Sequence, residues 1–242
     1  MVLSLSLLYN SRDGSACLSY HIDPSGKKWA IPHRRIEWSE EEYFVRNRQL
    51  RERCHEVCQA LNLATLLNDE PEKCENFEGD TNNEFFAMFK NTMDLSNPVM
   101  CGHSFGGATT LMALAAEPRF KVGIVLDGWL FPLRDEKDLA AKVKGKPIMF
   151  VNAESFLNEE NLKKMETFRQ EAGAESMSSQ DIERICYYIK GSVHQNHIDA
   201  PFVIKVSVIL VFRKRAREST TLNFQRIEYQ SKISLLRSIF PF

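Results

Sequence analysis

The apolar positions of this 242-residue chain follow two periods, one typical of amphipathic helices and one of short buried strands. The helical period starts after Ser39-Glu40-Glu41-Glu42, a capping box in which the Ser39 hydroxyl can accept from the backbone N–H of Glu42. The pattern predicts a long helix from there to about Leu63. Its buried side is expected to carry the cysteines together with Phe44, Leu50, Val57 and Leu61. The polar stretch NDEPEKCENFEGDTNNE then predicts a loop, and a second helix is expected from about Glu84 to Met93.

Short apolar runs alternate with helical segments from Pro98 onward. The runs PVMC, KVGIVLD, KPIMFVNAE and ERICYYIK predict four strands. The segments ATTLMALAA and NLKKMETFRQEAG predict two helices, the second stopped by Gly173. This alternation indicates an α/β fold with a mostly parallel sheet flanked by helices. Functional residues are then expected just past the carboxyl ends of the strands.

The composition bears on the partners of the chain and on the redox state of its cysteines. The chain has 31 basic and 32 acidic residues, and a net charge of −1 gives no argument for a nucleic-acid partner. Six cysteines, at positions 17, 54, 58, 74, 101 and 186, match no zinc-finger spacing. Cys54 and Cys58 are expected to share a helix face. Reduced, mostly buried thiols in a cytoplasmic chain are favoured over a metal-binding pair.

Neither end of the chain reads as a membrane anchor. The N-terminal MVLSLSLLYNSRDGSA has a short apolar run without a preceding basic residue, which fits a buried strand better than a signal peptide. The run from Phe202 to Phe212 is far shorter than the roughly 20 residues of a membrane helix. The basic RKRAR that follows is read as a solvated linker rather than a nuclear-targeting or lipid-binding segment. We expect a catalytic α/β domain over residues 1–200 and a divergent segment over 201–242.

The stretch Gly102-His103-Ser104-Phe105-Gly106 is a G-x-S-x-G pattern between a predicted strand and a predicted helix. In that context the serine stands on a sharp turn, and Gly102 and Gly106 lack the side chains that would clash across it. Ser104 is therefore the candidate nucleophile. The backbone N–H of Phe105 is the expected oxyanion donor, because it lies at the N-terminus of the following helix. We expect the Phe105 ring to pack and His103 to be structural.

An acid and a histidine follow Ser104 in the order that this serine chemistry requires. Asp127 ends the next strand, and His194 follows the last one. His194 would act as general base and then general acid, and Asp127 would fix its tautomer. Two alternatives stay open: Asp127 as a surface-turn or helix-cap residue, and His197 as the base in place of His194.

Several segments together resemble the platelet-activating factor acetylhydrolases of the plasma and intracellular type II group. They are GHSFGGAT, LDGWLFPL, NAESF and GSVHQN, with SRDGSACLSYHI resembling the family's HRDGSA segment. The resemblance covers roughly residues 10–196. It implies an α/β-hydrolase fold and calcium-independent hydrolysis of the sn-2 acetyl, short or oxidised acyl group of phospholipids. We expect no metal or organic cofactor, since the chemistry is acyl transfer to serine and then to water. The family's serine, aspartate and histidine match Ser104, Asp127 and His194, and its oxyanion donor after the serine matches Phe105.

The chain departs from the family pattern at both ends. The family has further strands and an H-G-x-G loop before the HRDGSA segment, and no His-Gly pair occurs in this sequence. We therefore expect an N-terminally truncated hydrolase. Because its substrates would be phospholipids, contact with a membrane or lipoprotein surface is also expected, and the oligomeric state is left open. A catalytically impaired member without a complete oxyanion hole, or another esterase on the same fold, is the alternative.

Overall fold

The computed structural model describes residues 13–15, 18–23, 25–37, 40–74, 83–171 and 184–197. Several sequence-based predictions therefore lie outside the described residues: the N-terminal apolar run, Ser39 of the capping box, Gly173, the run after Phe202 and the whole 201–242 segment. The division into two regions stays a prediction.

The described residues form a small hairpin, a four-stranded parallel sheet and five helices. The hairpin pairs β1 (Leu18–Ile22) antiparallel with β2 (Lys28–Pro32). The sheet has the order β3-β4-β5-β6, with β3 at Val99–His103, β4 at Val122–Leu126, β5 at Ile148–Ala153 and β6 at Arg184–Ile189. The helices are α1 (Glu40–Asp69), α2 (Asn83–Ala87), α3 (Phe105–Ala116), α4 (Leu139–Lys142) and α5 (Glu159–Glu171).

The predicted α/β architecture is confirmed by this arrangement. All neighbouring strands of the larger sheet run parallel, so their carboxyl ends meet at one edge. Helix α3 packs against β3 and β4, while α5 packs against β6. The residues that follow β3, β4, β5 and β6 are thereby gathered at one edge, where ligand sites of such sheets lie.

Two helix boundaries differ from the predicted ones. Helix α1 continues to Asp69 rather than ending near Leu63, because good helix formers follow and the chain is stopped only before Pro71. Helix α2 ends at Ala87 rather than Met93. Asn91 takes a left-handed φ of 56° and its N–H donates to the carbonyl of Asn68, which diverts the chain from a helical path.

The buried side of α1 is predicted correctly except at its first apolar residue. Leu50, Cys54 and Leu61 are buried in the main core, whereas Phe44 is 66 % exposed. Cys54 and Cys58 share a face and are joined by a hydrogen bond between their side chains. Burial raises the pKa of Cys54 to about 12, so the thiolate that a metal would need is disfavoured. Of the described cysteines, Cys101 and Cys186 are exposed, so the expectation of mostly buried thiols holds only in part.

The segment Asp13-Gly14-Ser15 forms a turn that is fixed to α1. Asp13 Oδ2 lies 3.1 Å from Arg53 Nε, and the Asp13 carbonyl accepts from Gln49 Nε2 at 3.1 Å. The Arg53 guanidinium in turn lies 4.6 Å from the centroid of the Phe105 ring. One arginine therefore connects this turn to the first residue of α3.

Candidate active site

Ser104 stands on the sharp turn between β3 and α3, as its motif predicts. Its φ of 57° and ψ of −117° are strained for a residue with a side chain. The Ser104 N–H donates to the carbonyl of Leu126 at 2.9 Å, and its own carbonyl accepts from Trp129 N at 2.8 Å and from Gly107 N at 2.9 Å. These three bonds hold the turn in place against the end of β4.

Two glycines make this turn sterically feasible. A Cβ on Gly102 would lie 2.1 Å from the Gly106 carbonyl oxygen, and a Cβ on Gly107 would lie 2.7 Å from Gly128 Cα. At Gly106, by contrast, a Cβ would meet nothing within 4 Å. The clash expected at Gly106 is therefore not found among the described residues. Gly107 is the second residue for which only hydrogen fits, since α3 crosses close to the loop after β4.

Asp127 directly follows β4 and is completely buried. Its backbone N–H donates to the carbonyl of Val151 at 2.9 Å, and its Oδ1 accepts from the backbone N–H of Ala153. Its Oδ2 lies 3.1 Å from His194 Nδ1. The alternative of a surface-turn aspartate is therefore wrong. A buried carboxylate needs such partners, because desolvation of an unpaired charge is costly.

His194 opens the 3₁₀ turn His194–His197 beyond β6. Its ring stacks on Phe156, with 3.9 Å between centroids and 16° between planes. The loop leading to it is fixed by the Gly191 N–H, which donates to Glu154 Oε2 at 2.7 Å, and by the Val193 N–H, which donates to Asn196 Oδ1 at 2.7 Å. The structure thus brings Asp127 and His194 together at the edge where Ser104 stands. Their catalytic roles stay predictions.

A second imidazole approaches the same carboxylate. His197 Nε2 lies 3.6 Å from Asp127 Oδ2, and the side chain is 8 % exposed. That nitrogen has no hydrogen-bond partner among the described residues. The alternative of His197 as base is thus not removed by distance, although His194 makes the shorter contact with Asp127.

His103 forms the third imidazole of the cluster. Its ring lies 4.4 Å from that of His194, and its Nε2 lies 3.1 Å from the His194 carbonyl oxygen. Because a carbonyl only accepts, Nε2 must carry the hydrogen in this contact. Burial and the neighbouring His194 lower the pKa of His103. One ligand atom from each of His103, Asp127 and His194 lies within 4.8 Å of the others, a spacing that could hold a metal ion.

Several residues support the site without having been assigned a role from sequence. Phe156 covers the His194 ring, the Ala153 N–H holds Asp127, and Glu154 holds the loop at Gly191. All three lie in the NAESF segment, whose resemblance to the family was the available signal. Phe105 packs edge-on against Trp129 at 5.4 Å, as expected for its ring. As the first residue of α3 its N–H has no acceptor within the helix, and its role as oxyanion donor stays a prediction.

A separate surface groove of about 550 Å³ lies beside α1. It is lined by Phe44 and Val45 and by charged side chains, including Asp13 and Arg48. Neither Ser104, Asp127 nor His194 lines it. This groove is therefore distinct from the cluster at the sheet edge.

The chain has a parallel sheet, a strained serine turn after β3, and Asp127 and His194 beyond β4 and β6. These features define an α/β-hydrolase fold. The family model "Platelet-activating factor acetylhydrolase, isoform II" matches residues 5–239. The chain therefore belongs to this platelet-activating factor acetylhydrolase family.

Three curated relatives named "Platelet-activating factor acetylhydrolase" support this membership. That of Canis lupus familiaris is 35 % identical over 210 residues, covering 83 % of this chain and 43 % of the relative. That of Gallus gallus is 35 % identical over 177 residues, with coverages of 73 % and 38 %. That of Bos taurus is 33 % identical over 197 residues, with coverages of 79 % and 41 %. The chain thus spans about two fifths of the length of these relatives.

Proposed function

We propose that this chain is a serine esterase that hydrolyses phospholipid esters through Ser104, His194 and Asp127. The observation that carries the proposal is the 3.1 Å contact between His194 Nδ1 and the buried Asp127 Oδ2 at the sheet edge that also bears Ser104. A carboxylate only accepts, so this contact favours the tautomer with hydrogen on Nδ1 and a lone pair on Nε2. That tautomer is the one a general base for a serine hydroxyl requires.

In the proposed reaction the Ser104 Oγ attacks the carbonyl carbon of the ester while its proton passes to His194 Nε2. The resulting imidazolium is stabilised by Asp127, and it returns the proton to the leaving alcohol as the acyl-enzyme forms. Water, activated by the same imidazole, then releases the acid and restores Ser104. Every step is a proton or acyl transfer.

The oxyanion of the tetrahedral intermediate is proposed to accept from the Phe105 N–H. This N–H lies at the start of the 12-residue helix α3, and the helix dipole adds positive potential there. The Phe105 ring is held between Trp129 and the Arg53 guanidinium, which supports a fixed orientation of its backbone. Such fixed donors are worth several kcal/mol in a transition state, roughly 3–4 kcal/mol for one donor.

The proposed substrate follows from the names of the relatives, which denote hydrolysis of the acetyl group of platelet-activating factor. We propose the sn-2 acetyl or a short or oxidised acyl group of such phospholipids as the ester. Contact with a membrane or lipoprotein surface and a cytoplasmic location are part of the same proposal. Within the described residues, no helix combines the length and the apolar character needed to cross a bilayer.

The direct test measures acetate released from an sn-2 acetyl ether phospholipid by the purified full chain. Ser104→Ala is expected to lower the rate at least about 10³-fold, because the nucleophile is removed. Ser96→Ala is the matched control, since Ser96 lies on an exposed turn where it bonds Asp94. An sn-2 palmitoyl phospholipid is expected to react far more slowly. Equal rates for wild type and Ser104→Ala would reject the nucleophile.

The same measurement separates the two other candidates. A soluble, folded wild-type chain that releases no acetate would support a catalytically impaired family member. Equal rates on the acetyl and palmitoyl phospholipids, both abolished by Ser104→Ala, would support a different esterase on the same fold.

A further inference from the structure

We propose that the imidazole cluster around Asp127, formed by His103, His194 and His197, binds Zn²⁺. Bound Zn²⁺ inhibits the esterase because it coordinates His194, which then no longer serves as the general base. Binding of Zn²⁺ is inferred from the geometry alone, whereas inhibition by Zn²⁺ rests on the proposed function. The ligand types fit the ion, because imidazole nitrogen and carboxylate oxygen are common zinc ligands.

The two imidazole nitrogens nearest Asp127 Oδ2 lie close to the ligand separations of a zinc coordination sphere. Bonds of about 2.0–2.2 Å in a tetrahedron separate neighbouring ligand atoms by about 3.3–3.6 Å. His194 Nδ1 lies 3.1 Å and His197 Nε2 lies 3.6 Å from Asp127 Oδ2. Ligand atoms of His103, Asp127 and His194 lie within 4.8 Å of one another. His103, Asp127 and His194 are therefore spaced so that rotation of their side chains brings them to a single ion, and His197 Nε2 faces the same carboxylate oxygen.

His197 provides a second, independent observation that points to a ligand at this cluster. Its side chain is more than nine-tenths buried and its Nε2 faces Asp127 without a hydrogen-bond partner. A buried ring nitrogen without a partner is costly. Coordination to an ion held by Asp127 would satisfy it, while the carboxylate would neutralise part of the charge.

His103 has the support that a metal-binding histidine needs. Its Nε2–H donates to the carbonyl of His194 at 3.1 Å, which leaves the lone pair of the neutral ring on Nδ1. In a metal-binding histidine, the ring nitrogen that does not bind the metal usually donates its N–H to a carboxylate, a backbone carbonyl or water, which fixes the tautomer. The contact also ties His103 to the backbone of a second ligand.

Inhibition follows from the two nitrogens of His194. A zinc ion on Nδ1 uses the lone pair of that nitrogen, so the ring hydrogen must reside on Nε2. The ring stays neutral and no proton is gained or lost by it. Nε2 then has no lone pair with which to accept the Ser104 proton, and the hydrogen bond from Nδ1 to Asp127 is replaced by coordination.

Binding of Zn²⁺ is tested with metal alone, added to the full chain. Titration with CoCl₂ is expected to give the visible absorption of four-coordinate cobalt without sulfur-to-cobalt charge transfer, and ZnCl₂ is expected to displace the cobalt. His103→Gln and His197→Phe are each expected to weaken Zn²⁺ binding at least about tenfold. His55→Gln, at an exposed position of α1, is the matched control and is expected to change nothing. No visible cobalt spectrum, or equal affinities in all four proteins, would overturn the proposal.

Thermal unfolding guards against a variant that has lost its fold. Excess ZnCl₂ is expected to raise the Tm of wild type and of His55→Gln, because a ligand of the folded state stabilises it, and to raise that of His197→Phe less. A sulfur-to-cobalt band would place the ion on cysteines and would also contradict the proposal.

Inhibition by Zn²⁺ is read from labelling of the chain by a fluorophosphonate. ZnCl₂ is expected to slow labelling of wild type at least tenfold, with recovery on addition of EDTA, and to slow labelling of His197→Phe less. The zinc concentration is chosen to saturate the site from which ZnCl₂ displaces cobalt. If labelling is unaffected at that concentration, the proposed inhibition is overturned. A chain that binds cobalt but is never labelled would contradict the proposed function and not the metal site.

Discussion

Replacement of Asp127 by asparagine tests the carboxylate at the centre of the site. The variant keeps the size of the side chain, and an amide oxygen in the place of Oδ1 still accepts from the backbone N–H of Ala153. The amide NH₂ then occupies the place of Oδ2, where it faces the nitrogens of His194 and His197. A donor therefore replaces an acceptor in front of His194 Nδ1.

The expected loss of rate follows from the tautomer of His194. An amide donor favours a lone pair on Nδ1 and hydrogen on Nε2, so the imidazole is unable to take the serine proton. In a serine protease the equivalent change lowers kcat about 10⁴-fold, which corresponds to about 5.4 kcal/mol of activation free energy. The free energy of unfolding is expected to fall by only about 1–2 kcal/mol, because one charge-assisted hydrogen bond is lost while the other contact is kept.

The assay compares acetate release and fluorophosphonate labelling in wild type, Asp127→Asn and Asp138→Asn. Asp138 is exposed and makes no side-chain capping bond at α4, so its variant is expected to match wild type. Unfolding in urea, followed by circular dichroism, shows whether Asp127→Asn keeps its fold. A folded Asp127→Asn variant with a rate within tenfold of wild type would refute the assignment of Asp127.

Four further variants test packing and electrostatics in the chain. Gly107→Ala is expected to lower the free energy of unfolding, measured in urea, by about 1–3 kcal/mol, because its Cβ would lie 2.7 Å from Gly128 Cα. Gly106→Ala is the matched control, since its Cβ would meet nothing within 4 Å. It is expected to be neutral or to stabilise the chain by up to ~1 kcal/mol. Arg53→Leu removes the ion pair between Arg53 and the Asp13 carboxylate, which is 2 % exposed, and is expected to cost about 1–3 kcal/mol in the same assay. A hydrogen bond from Arg119 lowers the pKa of Glu117 from 4.5 to about 2. The contribution of this carboxylate to the stability of the folded chain is therefore present above pH 4.5 and is lost as the pH falls through 2. Glu117→Gln is expected to cost about 1 kcal/mol at pH 7, and this difference from wild type is expected to vanish at the acid end of a series of urea curves.

The sheet and the helix after Ser104 were predictable from sequence because their signals are local. Each strand of the sheet is a short apolar run, and β4 ends directly before Asp127 as the pattern predicts. The exposure of Phe44 was not predictable, because the helical period gives the apolar side of α1 but not where other elements cover it. The β1–β2 hairpin is not among the sequence-based predictions, although its turn carries a signal. Asp23 Oδ1 accepts from the N–H groups of Ser25 and Lys27, and Gly26 has a φ of 80°.

The contacts around the site were less predictable than its members. Chain order and strand ends point to Asp127 and His194, but stacking of His194 on Phe156 depends on the approach of two loops after different strands. The path from Asp13 through Arg53 to Phe105 spans distant parts of the sequence and has no local pattern. The double approach of His194 and His197 to one oxygen likewise depends on the 3₁₀ turn that places both rings on the same side.

Ser104 is proposed as the nucleophile, and identification of the residue that a fluorophosphonate modifies tests this role most directly. The labelled full chain is digested, and the modified peptide is identified by mass spectrometry. The adduct is expected on Ser104 within the peptide that contains GHSFGG, with stoichiometric modification of wild type and none of Ser104→Ala. An adduct on any other serine, or a folded wild-type chain that forms no adduct, would contradict the claim.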